Sequence, residues 1–190
     1  MKKLMTTGAL LLSCACAHAS PISWGFSYSG FFDEEANQFL TDATIYGSFK
    51  GNDLNSDGIL AKDELVSLVI GELDYVACAA GSNAYYQCGA TSFSFSPDAG
   101  LHFAVGSYGN DPEGWVGGGN LITTGDQHYA YNYNPYNTSE RHLRWTADTQ
   151  LTMMSQAPEP ATWAMFAAGL LAVGWRARRQ GDGAGERFKA

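Results

Sequence analysis

Thr91-Ser92-Phe93-Ser94-Phe95-Ser96 decides the fold class. Successive side chains of an extended chain point to opposite faces, so this run sets both phenylalanines on one side and the serines on the other. Trp24-Gly25-Phe26-Ser27-Tyr28-Ser29 repeats the pattern. Working outward, Thr44 to Lys50, Leu73 to Cys78, Leu101 to Val105, His128 to Tyr133 and Arg141 to Met153 read as further strands. Gly114 to Thr123 reads as another, although Gly117-Gly118-Gly119 within it looks like a flexible turn. Short extended runs joined by Gly, Pro and Asn turns predict an all-β domain, an antiparallel β-sandwich. No Gly-rich loop leads from a strand into a helix, so a nucleotide-binding α/β fold has no support, and no fixed-period repeat is present.

The chain has 190 residues, but its two ends read as addresses and not as parts of this domain. Residues 1–19 have the layout of a secretory signal peptide: Lys2 and Lys3, then an apolar stretch through Leu12, then Ala17-His18-Ala19 before a cut at Ser20. Leu11-Leu12-Ser13-Cys14 loosely resembles a lipobox, which makes lipidation of Cys14 an alternative. Residues 20–157 form the secreted domain. They hold 16 Asp and Glu against Lys50, Lys62, Arg141 and Arg144, a net charge of −12, while the whole chain carries −8. Such an acidic body excludes nucleic acid as a partner, because phosphates need a basic face, and it suits a domain that attracts cations.

At the other end, Ala161 to Trp175 is uncharged and follows Pro158-Glu159-Pro160. As a transmembrane helix, 161–175 would be roughly 22 Å long against a hydrocarbon core of about 30 Å, so its flanks must snorkel or the bilayer must thin. Arg176, Arg178 and Arg179 behind it would hold the tail in the cytoplasm and leave the acidic domain outside.

The string PEPATWAMFAAGLLAVGWRARR at 158–179 resembles the PEP-CTERM sorting signal, also called the ice-binding protein C-terminal segment. The resemblance implies export by a Gram-negative bacterium that makes exopolysaccharide. It implies transient anchoring in the inner membrane, then cleavage near the motif by an exosortase, a membrane cysteine transpeptidase. The protein would end at the cell surface or in the extracellular matrix. Pro158, Glu159 and Pro160 would then be substrate residues and not catalytic ones. An ice-binding role has no support from the sequence, which lacks regular Thr-x-Thr ladders.

Asp53-Leu54-Asn55-Ser56-Asp57-Gly58-Ile59-Leu60-Ala61-Lys62-Asp63-Glu64 fits the twelve-residue EF-hand calcium loop. Calcium takes six to eight oxygens. Asp53, Asn55 and Asp57 stand at positions 1, 3 and 5, the Ile59 carbonyl at 7 and a bidentate Glu64 at 12. Gly58 occupies the sharp turn, and water would serve beside Ala61. Leu65, Leu68 and Val69, stopped by Gly71, predict one short helix after the loop. The competing reading is an Asx-rich surface turn with Gly58 left-handed.

Cys78 and Cys88 remain after signal removal and, in an oxidising compartment, predict a disulfide. Tyr129, Tyr131 and Tyr133 alternate, which describes either a sugar platform or one half-buried face of a strand. His102, His128 and His142 lie far apart, with no H-E-x-x-H or G-x-S-x-G arrangement. The acidic run Asp33-Glu34-Glu35 reads as solvated surface. No catalytic residue is named, and the chain is expected not to be an enzyme. The expectation is an exported, calcium-stabilised protein of biofilm or exopolysaccharide, with a carbohydrate-binding module as the alternative and a polysaccharide hydrolase third.

Overall fold

A computed structural model describes residues 22–155, 166 and 169–171. The chain divides into two compact units, residues 1–153 and 154–190. The first holds β1 (Ile22–Asp33), β2 (Gln38–Gly51), β3 (Leu60–Ala61), β4 (Leu65–Ile70), β5 (Leu73–Asp74), β6 (Tyr86–Ser96), β7 (Gly100–Asn110), β8 (Gly117–Thr123), β9 (Gln127–Asn134) and β10 (Asn137–Arg144). A final strand, β11 (Gln150–Ser155), starts in this unit and pairs with β1.

The all-β expectation holds, but the sandwich does not. The strands form a single antiparallel sheet in the order β3-β6-β7-β8-β9-β10-β1-β2-β4-β5, curled into a half-barrel. Curling replaces the second sheet because the apolar face of β1 and β2 meets that of β6 and β7. Phe49 packs 5.2 Å from Phe93 and 4.9 Å from Phe95, Phe26 lies 5.5 Å from Phe103, and Trp24 lies 5.6 Å from Phe95. Tilted and edge-on pairs at such distances add to the burial itself. The two alternating runs supply Trp24, Phe26, Phe93 and Phe95, and the strands over 44–50 and 101–105 supply Phe49 and Phe103.

Gly47 stands opposite Phe26, and a methyl there would come within 2.6 Å of that ring and 2.3 Å of the Val69 carbonyl. The Tyr28 hydroxyl donates to the Leu101 carbonyl at 2.8 Å, tying β1 to β7 through the interior, and burial pushes its pKa up to about 12. Cys78 and Cys88 form the expected disulfide, pinning a 3₁₀ turn (Ala77–Gly81) to β6. Closing this short loop contributes about 3 kcal/mol by the chain-entropy relation.

Three local expectations need correction. The short helix is absent: a 3₁₀ turn (Lys62–Glu64) runs into strand β4. Leu65 pairs with Gly51 and Ser67 with Lys50, so a bulge at Val66 brings Leu65 and Leu68 to the same face. An extra residue in a strand thus imitates helical spacing, and the β-branched Val66, Val69 and Ile70 favour the strand. Leu73 to Cys78 stops at Asp74, whose carboxylate accepts the N–H groups of Val76 and Ala77. Burial raises its pKa, but the Ser67 hydroxyl and these amides together hold it below the usual carboxylate range. Arg141 to Met153 is two strands, with a turn that buries the Trp145 indole N–H.

Phe166, Gly169, Leu170 and Leu171 are helical, and no helix among the described residues is long and apolar enough to cross a membrane. The 1–19 signal peptide with Cys14, the sorting residues Pro158, Glu159 and Pro160, and Arg176, Arg178 and Arg179 lie outside the described residues, as does most of 161–175.

Phe49 is fully buried among Phe26, Phe93 and Phe95. Phe49→Ala should lower stability by about 3–5 kcal/mol, read as an earlier urea midpoint at unchanged slope.

Candidate functional site

The acidic loop links β2 to β3, which lie far apart in strand order. Its side chains turn inward onto its own backbone. Asp53 accepts from the amides of Asp57 at 3.2 Å and Gly58 at 3.0 Å, Asn55 from Asp57 at 3.0 Å, and Asp57 from Ile59 at 2.8 Å. Gly58 has φ of +80°, where glycine avoids the cost of a side chain. Glu64 is the sole buried charged residue among those described, at 7% exposure. It accepts from Leu54 at 2.8 Å, Asn55 at 3.3 Å and Ala61 at 3.0 Å, so its carboxylate holds the two ends of the loop together.

In kind, the donor set fits calcium: carboxylates, an amide oxygen and the Ile59 carbonyl, with no nitrogen or sulfur ligand. In position, no group of three or more His, Cys, Asp or Glu side chains among the described residues is gathered closely enough to hold a metal ion. Asx hydrogen bonds, left-handed Gly58 and the buried Glu64 hold the loop in this form.

A second cluster is invisible in the sequence. On the turn after β1, Glu34 binds Arg144 Nε at 2.9 Å and His142 Nδ1 at 2.7 Å, and Arg144 also binds Asp126 at 2.7 Å. Glu35 accepts the His142 amide at 2.9 Å. β1 and β10 share two residue pairs, Phe32 with Arg144 and Asp33 with Leu143, and these side chains reinforce that short seam. The Arg144 hydrogen bond holds the Glu34 pKa below the usual carboxylate range, although burial works against it. The partners are 110 residues apart, so no local spacing could have announced them.

The three histidines form no triad. His102 sits on the Ala99 carbonyl at 3.0 Å. His128 Nε2 meets Asn120 Oδ1 at 2.8 Å, with Nδ1 buried and unpartnered among the described residues. His142 lies on the neighbouring strand but faces the other way, since His128 pairs with Leu143. Tyr129, Tyr131 and Tyr133 point away from the core: Ile122, on the buried side, pairs with His128, which puts Tyr129 with Leu121 on the outer face. These tyrosines are half-buried, as one of the two readings had it, but on the outer face of the sheet and not against the core.

Residues 156–179 match the PEP-CTERM protein-sorting motif. The motif implies export, processing by exosortase, and a cell-surface or extracellular location. No match to the chain is found among curated proteins, and none among solved structures.

Burial, and then the Arg141 charge, depress the His128 pKa below its ordinary value. The unfolded chain therefore takes up a proton near pH 6.5 that the folded chain refuses, and stability falls as pH drops through that region. The Glu34 contribution is present above the ordinary carboxylate pKa and is lost at lower pH, as the folded group is protonated. His128→Gln keeps an amide for Asn120 and removes the titration. Its denaturation midpoint should fall less between pH 7.5 and pH 5 than that of the wild type.

Proposed function

We propose that this chain is a non-enzymatic, exosortase-processed component of the extracellular matrix, stabilised by calcium and taking part in the organisation of exopolysaccharide. The observation that carries this reading is the sorting motif at 156–179, set behind a disulfide-bonded β domain. A structural disulfide belongs to an oxidising compartment, in agreement with export. The absence of any hydrolase motif in the sequence favours a binding or structural role over turnover. Pro158→Ala, Glu159→Ala and Pro160→Ala together should leave the full-length precursor in the inner membrane. The wild type should appear at the surface or in the medium as a shortened species. Wild-type protein retained at full length would remove the proposal's main support.

Calcium is proposed at Asp53, Asn55, Asp57, the Ile59 carbonyl and Glu64. Support comes from the all-oxygen donors and from a loop already folded around Glu64. Binding would require the carboxylates to draw together about the ion. A solitary extracellular loop implies a dissociation constant on the order of 10⁻⁴ to 10⁻³ M. At 10 mM calcium, linkage then gives about 1.4 to 2.7 kcal/mol. The melting temperature of the full chain should rise in calcium relative to chelator, and Asp53→Ala with Asp57→Ala should abolish the rise. Equal melting in both conditions would remove calcium from the model.

A further inference from the structure

The outer face of β6, β7 and β8 differs from the rest of this acidic domain. These three strands contain no Asp, Glu, Lys or Arg. Phe103 and Val105 face the core, so Ala104, Gly106 and Tyr108 face outward, and the register carries that side across to Leu121, Gly119 and the β9 tyrosines. Tyr131 and Tyr133 have ring planes within 2° of each other at 6.5 Å, and Tyr129 continues the row at 5.4 Å.

Glycines let the rings lie low over the neighbouring strand. A methyl on Gly119 would come within 2.6 Å of Tyr131 and 2.8 Å of Tyr108, and one on Gly117 within 2.5 Å of the Tyr133 hydroxyl. Gly117 and Gly119 are thus the bed of an aromatic row, and the flexible-turn reading is corrected, since all three glycines lie in strand β8. Beside the row lies a hollow of about 480 Å³ lined by Gln87, Gly89, Ala104, Gly106, Tyr108 and Leu121. At the Gly117–Tyr133 end, Trp115 and Tyr136 in the adjoining turns are 65% and 96% exposed.

We propose that this face, from the hollow across the tyrosine row to Trp115 and Tyr136, binds an extended, uncharged polysaccharide. Charge selects the occupant. A polyanion would meet a domain of net charge −12 and find no cation on β6, β7 or β8, while Lys62 is held on the Thr91 carbonyl at 3.3 Å. At the far edge of the row, the Glu140 carboxylate opposite Tyr131 is engaged by Tyr129 and not left free for a polycation. An uncharged polyol needs neither. The C–H faces of its sugar rings suit flat aromatic surface, while its hydroxyls suit tyrosine O–H, Gln87 and Asn110, groups that both donate and accept. The open, shallow form of the face suits a long chain more than a small molecule. The assignment rests on the reading of the protein as a matrix component, which supplies the polysaccharide.

The test uses the full chain, purified in mild detergent from an exporting host, and insoluble cellulose, curdlan and chitin as neutral probes, with alginate as the anionic one. At least one neutral polysaccharide should deplete the protein from solution, unaffected by salt. Tyr108→Ala with Tyr131→Ala should weaken depletion roughly tenfold or more, with cooperative melting retained. To cover a variant that unfolds, wild-type aromatic NMR signals are followed on adding cellohexaose and laminarihexaose. Shifts confined to Tyr108, Tyr129, Tyr131, Tyr133 and Trp115 support the proposal. No depletion by any neutral probe, depletion by alginate alone, undiminished binding in the folded double variant, shifts elsewhere, or occupation of the face by a second copy would each overturn it. The assay reads binding in vitro, so a failure of sorting in the Pro158, Glu159 and Pro160 variant leaves its result unchanged.

Discussion

The packing of Phe49 against Phe93 and Phe95, with Phe26 against Phe103, is the contact on which the rest of the sheet depends. A flat sheet of these strands would leave one apolar face in water. Curling brings β1 and β2 over β6 and β7 and buries both alternating Phe runs at once, so a single sheet achieves what a sandwich does with two. Antiparallel strands joined mainly by hairpins can be recruited in sequence order, with exceptions that include β2 to β3, β3 to β4 and β5 to β6, whose strands are not neighbours in the sheet. The connection from β2 to β3 must travel from one region of the strand order to the other.

That connection is the acidic loop, and its position explains its chemistry. A crossing segment has few ladder partners, so its backbone N–H groups are met by Asp53, Asn55, Asp57 and Glu64. Glu64 is buried because it closes the loop against the core residues Leu60 and Leu65 on either side. The Glu34, His142 and Arg144 cluster performs a similar service at the β1–β10 seam, where the ladder is only two residue pairs long. In both places, side-chain polar groups supplement backbone pairing where curvature has made it scarce.

Burying aromatic residues on the inner face did not exhaust them. Tyr108, Tyr129, Tyr131 and Tyr133 lie on the outer face, all but Tyr129 over glycines, and the same alternation that identifies a strand says nothing about which face meets solvent. A one-residue shift in pairing would exchange His128 and Tyr129. The outer face is therefore a property of register, and register is set by the hairpins that join β7 to β8 and β8 to β9.

Strand character, the acidic body, the Cys78–Cys88 pair and the sorting signal at the end of the chain were legible in the residues, because each depends on local pattern or composition. The β4 strand was not, since a bulge at Val66 imitates helical spacing. Nor was the single curled sheet, because alternation reports that one face is buried but not what buries it. The Glu34–Arg144 contact and the Gly119 bed beneath Tyr131 and Tyr108 join residues remote in sequence or on separate strands. By itself the sequence determined which residues would be apolar, charged or crosslinked, and where the chain would be sent. Which faces meet, and which tyrosines are left to the solvent, was decided only by tertiary structure, because strand partners and register are chosen through contacts distant along the chain.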